Sequence, residues 1–389
     1  MADPAALADV RVVDLTVLLP GPYCTQLLAD LGAEVIKIER PGSGDPARQL
    51  SPALFAAVNR GKLSVALDLR QAPGRAHLEA LVGTADVFIE GFRPGVAERL
   101  GAGYAHLARL NPDLIYCSLS GYGQTGPARD LPGHDLNYLG VVGALDPPDQ
   151  PGTAPRHWGS VPMADLAGAL FAANSILAAL VRRTRQPAGQ RGAYLDASLA
   201  GAALALVSGR LAESGQDAVV DDAPLLRGGG YRAFVGSDGQ AFTVGCIEDA
   251  FWQRLCAALG RMDLASDPRW ATFPQRSADA PALDAMLAAE FARLPRAEWL
   301  ARLREADVPI APVNTPSTAP ADPFVAGSGL LLRDAAPDTG GPAAPPRVRG
   351  VRYPVRMPGL ATPHEQPDTR RAPALGEHNA LLLSEPTGA

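Results

Sequence analysis

The segment VRVVDLTVLLPGPYCTQLLADLGAEVIKIE, residues 10–39, contains the pattern from which the fold class is predicted. Residues 10–15 and 34–39 are short runs rich in β-branched and apolar residues, which is typical of buried strands. Between them, residues 23–32 have helical spacing and end at Gly32, so they predict a helix. The order strand, helix, strand predicts a βαβ unit with its two strands parallel in one sheet.

The same rhythm continues along the first half of the chain. Further strand-like runs occur at 64–69, 87–92, 114–121 and 192–199, and helices are predicted between them, for example at 74–83 and 104–110. This alternation predicts an α/β fold with a Rossmann-like, doubly wound parallel sheet. Ligands of such sheets bind at the carboxyl ends of the strands, where this chain has polar loops rich in glycine, arginine and proline.

The length of 389 residues favours two domains. Residues 231–247 predict a hairpin around the turn SDGQ, followed by helices anchored by tryptophans. We predict a small α+β domain over 221–327 and a large domain formed by 1–220 together with 328–389. The run RGGG at 227–230 favours a flexible lid and a plain linker equally.

Composition narrows the class of protein. A hydrophobic content of 47%, a charged content of 20% and a net charge of −6 indicate a globular protein and argue against a nucleic-acid partner. The longest apolar run, 166–182, is interrupted by polar residues and predicts a buried helix, with no membrane span. The four cysteines have no metal-ligand spacing, so we expect buried, reduced thiols, no metal site and a cytoplasmic location.

Three residues are candidates for acid–base chemistry. His134 and Asp165 each lie at a predicted loop-to-helix junction, and Glu248 follows a predicted strand. Histidine titrates near neutral pH, and a carboxylate beside a helix N-terminus stays ionised, so the first two can move a proton on and off carbon. Each also has a structural interpretation: a hydrogen-bonded loop histidine, and helix caps at Asp165 and Glu248.

Three basic residues follow predicted strands or their loops: Arg40, Lys62 and Arg93. In a doubly wound sheet such loops converge, and together these side chains suit a ligand with several phosphates. Ordinary surface charge is the alternative interpretation. The chain contains neither GxGxxG nor a P-loop, so a nicotinamide cofactor or a magnesium nucleotide has little support.

Several motifs together resemble the family III CoA-transferases, a superfamily that includes the alpha-methylacyl-CoA racemases. These motifs are LLPGPYCTQLLADLGAEVIKIERPGSGD (18–45), NRGKLSVALDL (59–69), VFIEGFRPGVAERLG (87–101), LIYCSLSGYGQTGP (114–127), PGHDLNY (132–138), VNTPSTAPADP (313–323) and LGEHN (375–379). The likeness covers nearly the whole chain. It implies an acyl-CoA thioester as substrate, no cofactor beyond the CoA moiety, and an interlocked homodimer as the assembly.

The resemblance also implies site residues. CoA is expected to contact the three basic residues named above and the segment that begins with GHD, namely Gly133, Asp135, Leu136, Asn137 and Tyr138. Asp135 has the alternative role of capping its own segment. Asp165 matches an aspartate of both branches of the superfamily. In transferases it is the covalent nucleophile, and in racemases it is one of two bases.

The sequences GHD (133–135) and GCIE (245–248) are similar to the racemase pattern, in which the histidine is the opposing base and the glutamate supports it. We therefore predict epimerisation of 2-methylacyl-CoA thioesters at C2, with His134 and Asp165 on opposite faces of that carbon. A backbone N–H near the start of the Asp165 helix is expected to hold the enolate oxygen.

Two rival interpretations stay open. Val161, where racemases usually carry asparagine, and the run DLAGAL (165–170) are more similar to transferases. In that case Asp165 carries the acyl group and then CoA covalently. A non-catalytic acyl-CoA-binding protein is the third interpretation.

Overall fold

The computed structural model describes residues 5–146, 154, 161–214, 228–334, 347–357 and 370–383. The chain divides into two compact units. The first unit comprises Met1–Leu145, Pro155–Glu213 and Ser328–Ala389, and the second comprises Asp146–Ala154 and Ser214–Gly327. The predicted domain boundary between residues 220 and 221 lies outside the described residues.

The first unit is built on a parallel sheet whose strands follow the order β3-β2-β1-β4-β5-β6. The strands are β1 (Arg11–Leu15), β2 (Glu34–Glu39), β3 (Leu63–Ala66), β4 (Val87–Glu90), β5 (Ile115–Ser120) and β6 (Ala193–Ser198). The order reverses between β1 and β4, so the doubly wound α/β fold predicted from the sequence is confirmed.

Helices connect these strands. Before α8 they are α1 (Pro20–Asp30), α2 (Ala47–Leu50), α3 (Pro52–Val58), α4 (Ala72–Gly83), α5 (Val96–Arg99), α6 (Tyr104–Leu110) and α7 (Asp135–Val141). They are followed by α8 (Met163–Arg183), α9 (Leu199–Leu206) and α10 (Ser208–Ser214). Strands β1, β4 and β5 lie in the middle of the sheet and are almost completely buried, as expected for strands that helices cover on both faces.

Helix α8 is long and apolar enough to cross a membrane by length and composition alone. Its buried residues are mostly small and belong to the core that includes β1, β4 and β5. Gly168 allows a close helix contact, because a Cβ there would lie 2.3 Å from the Leu199 side chain of α9. These contacts support the prediction of a core helix.

The C-terminal part of the first unit packs on α3 and on the edge strand β3. It contains β10 (Leu331–Arg333), β11 (Val348–Val351) and the short helix α17 (Asn379–Leu382). The N–H of Ser64 in β3 donates to His378 Nδ1 at 3.1 Å, and the N–H of Ala66 donates to Asn379 Oδ1 at 2.9 Å. The end of the chain thus satisfies the exposed backbone of an edge strand.

The second unit has a three-stranded antiparallel sheet covered by helices. Its strands are β7 (Tyr231–Val235), β8 (Ala241–Gly245) and β9 (Ile310–Pro312), and the first two form the predicted hairpin. Its helices are α11 (Asp249–Leu259), α12 (Met262–Ser266), α13 (Phe273–Ala278), α14 (Ala280–Phe291), α15 (Arg296–Glu305) and α16 (Pro323–Gly327), with 3₁₀ turns at Pro268–Trp270 and Ala319–Ala321. Trp252, Trp270 and Trp299 are buried in its core.

The glycines at 228–230 pack within the second unit. All three have positive φ, and the N–H of Gly229 donates to Asp284 Oδ1 at 3.0 Å. A Cβ on Gly229 would lie 2.6 Å from the backbone of Arg276, a fully buried arginine that donates to the carbonyls of Cys246 and Ile247. Only glycine fits this position, so these residues form a packed turn. Arg227 lies outside the described residues.

All four cysteines are free and buried, as predicted. Burial raises the pKa of Cys117, Cys246 and Cys256 to about 12. A buried thiol with a raised pKa is a poor nucleophile. We therefore assign the cysteines to the two cores.

Candidate active site

A cleft of about 510 Å³ opens in the first unit at the carboxyl ends of β1, β4 and β5. The ends of these strands, the loops that follow them and the start of α1 line it with Thr16, Val17, Leu18, Pro20, Gly21, Gly91, Phe92, Arg93, Pro94, Leu119, Ser120 and Gly121. The remaining lining residues are Arg129, Leu131, Pro132, Gly133, His134, Asn137, Tyr138, Asp165 and Leu199. This is the point at which the strand order reverses, where doubly wound sheets bind their ligands.

Asp165 is the third residue of α8 and lies in the wall of the cleft. Burial raises the pKa of its carboxyl group to about 7, and the negative charge of Asp135 adds to the effect. The helix dipole acts in the opposite direction, but burial outweighs it. At neutral pH the group is therefore divided between the acid and the carboxylate, which suits both proton transfer and nucleophilic attack.

Asp135 links the start of α7 to the start of α8. It lies in the first turn of α7 and is buried. Its Oδ1 accepts from the N–H of Ala164 at 2.7 Å and from the N–H of Asp165 at 3.1 Å. The prediction that Asp135 caps its own segment is thus wrong, because its carboxylate caps α8. These two N–H groups are committed to Asp135 and do not serve as the expected oxyanion site, which stays a prediction for the helix start.

Tyr138 shapes the floor of the cleft. Its hydroxyl donates to the carbonyl of Gly133 at 2.6 Å. A Cβ on Gly121 would lie 2.5 Å from this hydroxyl, and one on Gly133 would lie 2.6 Å from the ring. Both glycines are therefore required for the tyrosine to pack here. Burial raises the pKa of Tyr138 to about 12, with Asp165 as the next cause, so the hydroxyl stays protonated at neutral pH.

His134 lines the same cleft as Asp165 and is exposed. It is the N-cap residue of α7, and its backbone N–H donates to Asn137 Oδ1 at 3.0 Å. His134 and Asp165, which are thirty-one positions apart in the sequence, thus line one cleft. Their shared cleft is compatible with both chemistries that the sequence left open.

Lys62 is not a surface cation. Its side chain is fully buried, and its Nζ lies 3.2 Å from Asp14 Oδ2 and 2.7 Å from Thr25 Oγ1. It also donates to the carbonyl of Pro22 and to Asn59 Oδ1, each at 2.9 Å. The ammonium group is thus committed to the core of the sheet, which contradicts its predicted role in binding CoA phosphates.

Of the other residues predicted to contact CoA, some line the cleft and some do not. Arg93 is exposed and lines the cleft, together with the glycine, asparagine and tyrosine of the 133–138 segment. Arg40 and Leu136 are exposed but are not among the lining residues. Arg129 lines the cleft and was not predicted, although it follows β5 in a loop at the carboxyl edge of the sheet. Its position in that loop was the signal available in the sequence.

Glu248 belongs to the second unit. It precedes α11 at the N-cap position, is exposed, and makes no side-chain capping hydrogen bond. Glu248 thus occupies the N-cap position, but its side chain does not make the capping hydrogen bond that the structural interpretation predicted. Its predicted support of His134 remains a prediction.

Among the described residues, no group of three or more histidines, cysteines, aspartates or glutamates could hold a metal ion. The cleft offers carboxylate, imidazole, phenol and guanidinium groups in one place. Such a set can bind an anionic ligand and carry out acyl or proton transfer.

Comparison with known proteins identifies the family. The model of CoA-transferase family III matches residues 7–379. The chain belongs to this family. The acetyl-CoA:oxalate CoA-transferase of Acetobacter aceti is 35% identical over 388 residues, which cover 96% of this chain and 94% of that relative. The succinate–glutarate CoA-transferase of Agrobacterium fabrum is 34% identical over 400 residues, with 97% and 95% covered.

The fold agrees with this family assignment. The crystal structure of a CAIB/BAIF family protein from Brucella suis matches with a TM-score of 0.80 at 32% identity and covers 99% of both chains. The sequence-based resemblance to the family III superfamily is thus confirmed. Both relatives named above are transferases, so the racemase branch lacks this support.

Proposed function

We propose that this protein transfers coenzyme A from an acyl-CoA thioester to a free carboxylate, with Asp165 as the covalent nucleophile. The observation that carries the proposal is the carboxyl group of Asp165, partly buried in the cleft at the carboxyl edge of the sheet with a pKa of about 7. The named activities of the relatives, which move CoA between carboxylic acids, support it.

The first half-reaction exchanges the acyl group for CoA on Asp165. A carboxylate oxygen of Asp165 attacks the thioester carbonyl, a C–O bond forms, the C–S bond breaks, and CoA leaves as the thiolate. The thiolate then attacks the aspartyl carbonyl of the mixed anhydride. The donor acid leaves as a carboxylate, and Asp165 holds CoA as a thioester.

The second half-reaction reverses these steps with a new acid. The acceptor carboxylate attacks the aspartyl thioester, so a mixed anhydride of Asp165 and the acceptor forms and the CoA thiolate leaves. The thiolate attacks the acceptor carbonyl, and the carboxylate of Asp165 is restored. No proton or electron is gained or lost in the cycle. Arg93 and Arg129 would attract the anionic ligands to the cleft.

The racemase remains a second candidate, because His134 shares the cleft with Asp165. One of the two groups would remove the proton at C2 of a 2-methylacyl-CoA, and the other would return a proton to the opposite face.

One incubation separates the two functions. A single epimer of 2-methylacyl-CoA is mixed with a free carboxylate in deuterated water. Transfer predicts CoA on the added acid without deuterium at C2, and hydroxylamine should trap Asp165 as a hydroxamate detected by mass spectrometry. Racemisation predicts loss of chirality with deuterium at C2. CoA-ester binding with neither product would leave only the non-catalytic interpretation.

We also propose a cytosolic homodimer. Reduced, buried cysteines support the compartment. Large apolar side chains on α8, α9 and α10 are about half exposed in the single chain, namely Leu170, Phe171, Val181, Leu204, Leu206 and Leu211. Such exposure supports a second copy as the covering surface. Analytical ultracentrifugation tests it: a monomer at micromolar concentration contradicts the dimer.

A further inference from the structure

One wall of the cleft is formed by residues 16–18, which follow β1 directly. Leu18 has a φ of 65°, in the left-handed region that disfavours residues with a Cβ. Among the described residues, only one other non-glycine residue, Asp307 of the second unit, has a positive φ. We call residues 16–18 the strained wall.

Two oppositely charged side chains form hydrogen bonds to the backbone of the strained wall. Lys37 Nζ donates to the carbonyl of Thr16 at 2.9 Å, and Asp45 Oδ1 accepts from the N–H of Leu18 at 3.0 Å. Lys37 Nζ and Asp45 Oδ2 lie 2.9 Å apart, and both side chains are completely buried. The ion pair thus bonds to the backbone at both ends of the wall.

A third buried charge fixes the start of the wall. Asp14 Oδ1 accepts from the N–H of Thr16 at 2.9 Å and from its hydroxyl at 2.5 Å. The carbonyl and the N–H of Thr16 are therefore both bonded to ionised side chains. Three buried charged side chains, Lys37, Asp45 and Asp14, thus fix the backbone conformation of the wall.

A buried ion pair is weak support for stability, because desolvation offsets most of the attraction between the charges. A left-handed leucine is also unfavourable, and it persists only where its surroundings over-determine it. Here the two unfavourable features meet at one segment, and that segment faces the ligand cleft. The buried ion pair and the left-handed leucine would occur together for a reason if the wall needs this conformation to bind the ligand.

We propose that Lys37 and Asp45 are positioning residues, which hold the strained wall in the conformation that binds a CoA thioester. The proposal rests on the proposed function only for the chemical class of the ligand. Neither side chain touches the ligand, because both are completely buried. Their effect passes through the backbone of Thr16 and Leu18.

The test removes the ion pair and then removes the strain. Lys37→Met/Asp45→Ala should weaken acetyl-CoA binding, measured by calorimetry, by about tenfold, and should raise KM more than it lowers kcat. Adding Leu18→Gly should recover most of that loss, because glycine adopts the left-handed backbone without support. The Kd of Leu18→Gly in the unaltered background is the reference for this rescue, because Leu18 itself lines the cleft. An absent rescue, or an unchanged Kd in the double variant, overturns the proposal.

A second variant covers the case in which the double variant fails to fold. Leu18→Ile leaves the ion pair intact but places a β-branched side chain at the left-handed position, so the Kd should again rise several-fold. The matched control neutralises another buried ion pair of the same unit, through Arg60→Met/Asp30→Asn. It should lower the melting temperature without changing the Kd, and Leu18→Gly should not alter its Kd. A changed Kd in this control contradicts a specific role for the wall.

The outcome separates this proposal from the proposed function. If the unaltered protein binds acetyl-CoA but transfers no CoA, the transferase function fails while the role of the wall is still measured by binding. If it transfers CoA and the ion-pair variant binds normally, only the role of the wall fails. If it binds no CoA thioester, both fail.

Discussion

Asp14 and Asp165 are aspartates of the same unit with opposite properties. Asp14 is completely buried, which alone would raise its pKa, but the ammonium groups of Lys62 and Lys37 and two threonine hydroxyls lower the pKa to about 2. Asp165 is raised to about 7 by burial and by the charge of Asp135. Burial alone therefore does not define a reactive carboxylate. A buried aspartate beside cations serves the fold, and one beside another carboxylate is available for chemistry.

The largest effect is expected from the reactive aspartate. Asp165→Asn should reduce CoA transfer by a factor of about 10³ or more, because it removes the nucleophile and leaves only binding. Steady-state turnover and hydroxylamine trapping measure the loss. Glu79→Gln, which alters a partly exposed carboxylate paired with His106, is the control and should retain turnover. A comparable loss of turnover in both variants would contradict a specific catalytic role for Asp165.

Asp14→Asn should lower the stability of the folded protein. It leaves the buried ammonium of Lys62 without its counterion, so the free energy of unfolding should fall by about 3–5 kcal/mol. Denaturant titration at pH 7 measures this change. Asp68→Asn is the matched control, since Asp68 also has a pKa of about 2 but pairs with exposed Arg70. Its unfolding midpoint should not move.

The same substitution at the reactive aspartate should have the opposite effect on stability. The folded protein binds the proton of Asp165 more tightly than the unfolded chain, so the carboxyl group reduces stability progressively from about pH 4 to pH 7. Asp165→Asn should therefore be more stable than the unaltered protein at pH 8, by roughly 1–4 kcal/mol, and equally stable near pH 4. A variant that is less stable at pH 8 would contradict the raised pKa.

Activity should follow the same titration. The nucleophile must be ionised, so kcat/KM for transfer should fall about tenfold for each pH unit below 7 and level off above it. Asp14, with a pKa of about 2, should contribute nothing to this profile between pH 5 and 8. A pH-independent kcat/KM between pH 5 and 8 would exclude Asp165 in its free form as the titrating group.

The sequence predicted the parallel sheet because βαβ periodicity is local, and residues 10–39 contain one complete unit. The resemblance to the family III superfamily implied that His134 and Asp165 act at one site, and both line the same cleft. The predictions failed at Lys62 and Asp135. Whether a charged side chain points to the core or to solvent depends on partners such as Asp14 and Ala164, which are distant in the chain and become neighbours only in the fold.

His134 gives the smallest expected effect and the sharpest test of the comparison. His134→Asn places asparagine, a residue favoured at the N-cap, at the N-cap of α7, so the fold should be unaffected. If Asp165 alone performs the covalent chemistry, transfer should change by less than about tenfold, whereas deuterium exchange at C2 of a 2-methylacyl-CoA would fall by about 10²–10⁴ if imidazole is the opposing base. Rates of transfer and of exchange, measured on one preparation, give both values. A 10²-fold loss of transfer would make His134 a partner of Asp165, and the reactive aspartate would then be one member of a pair.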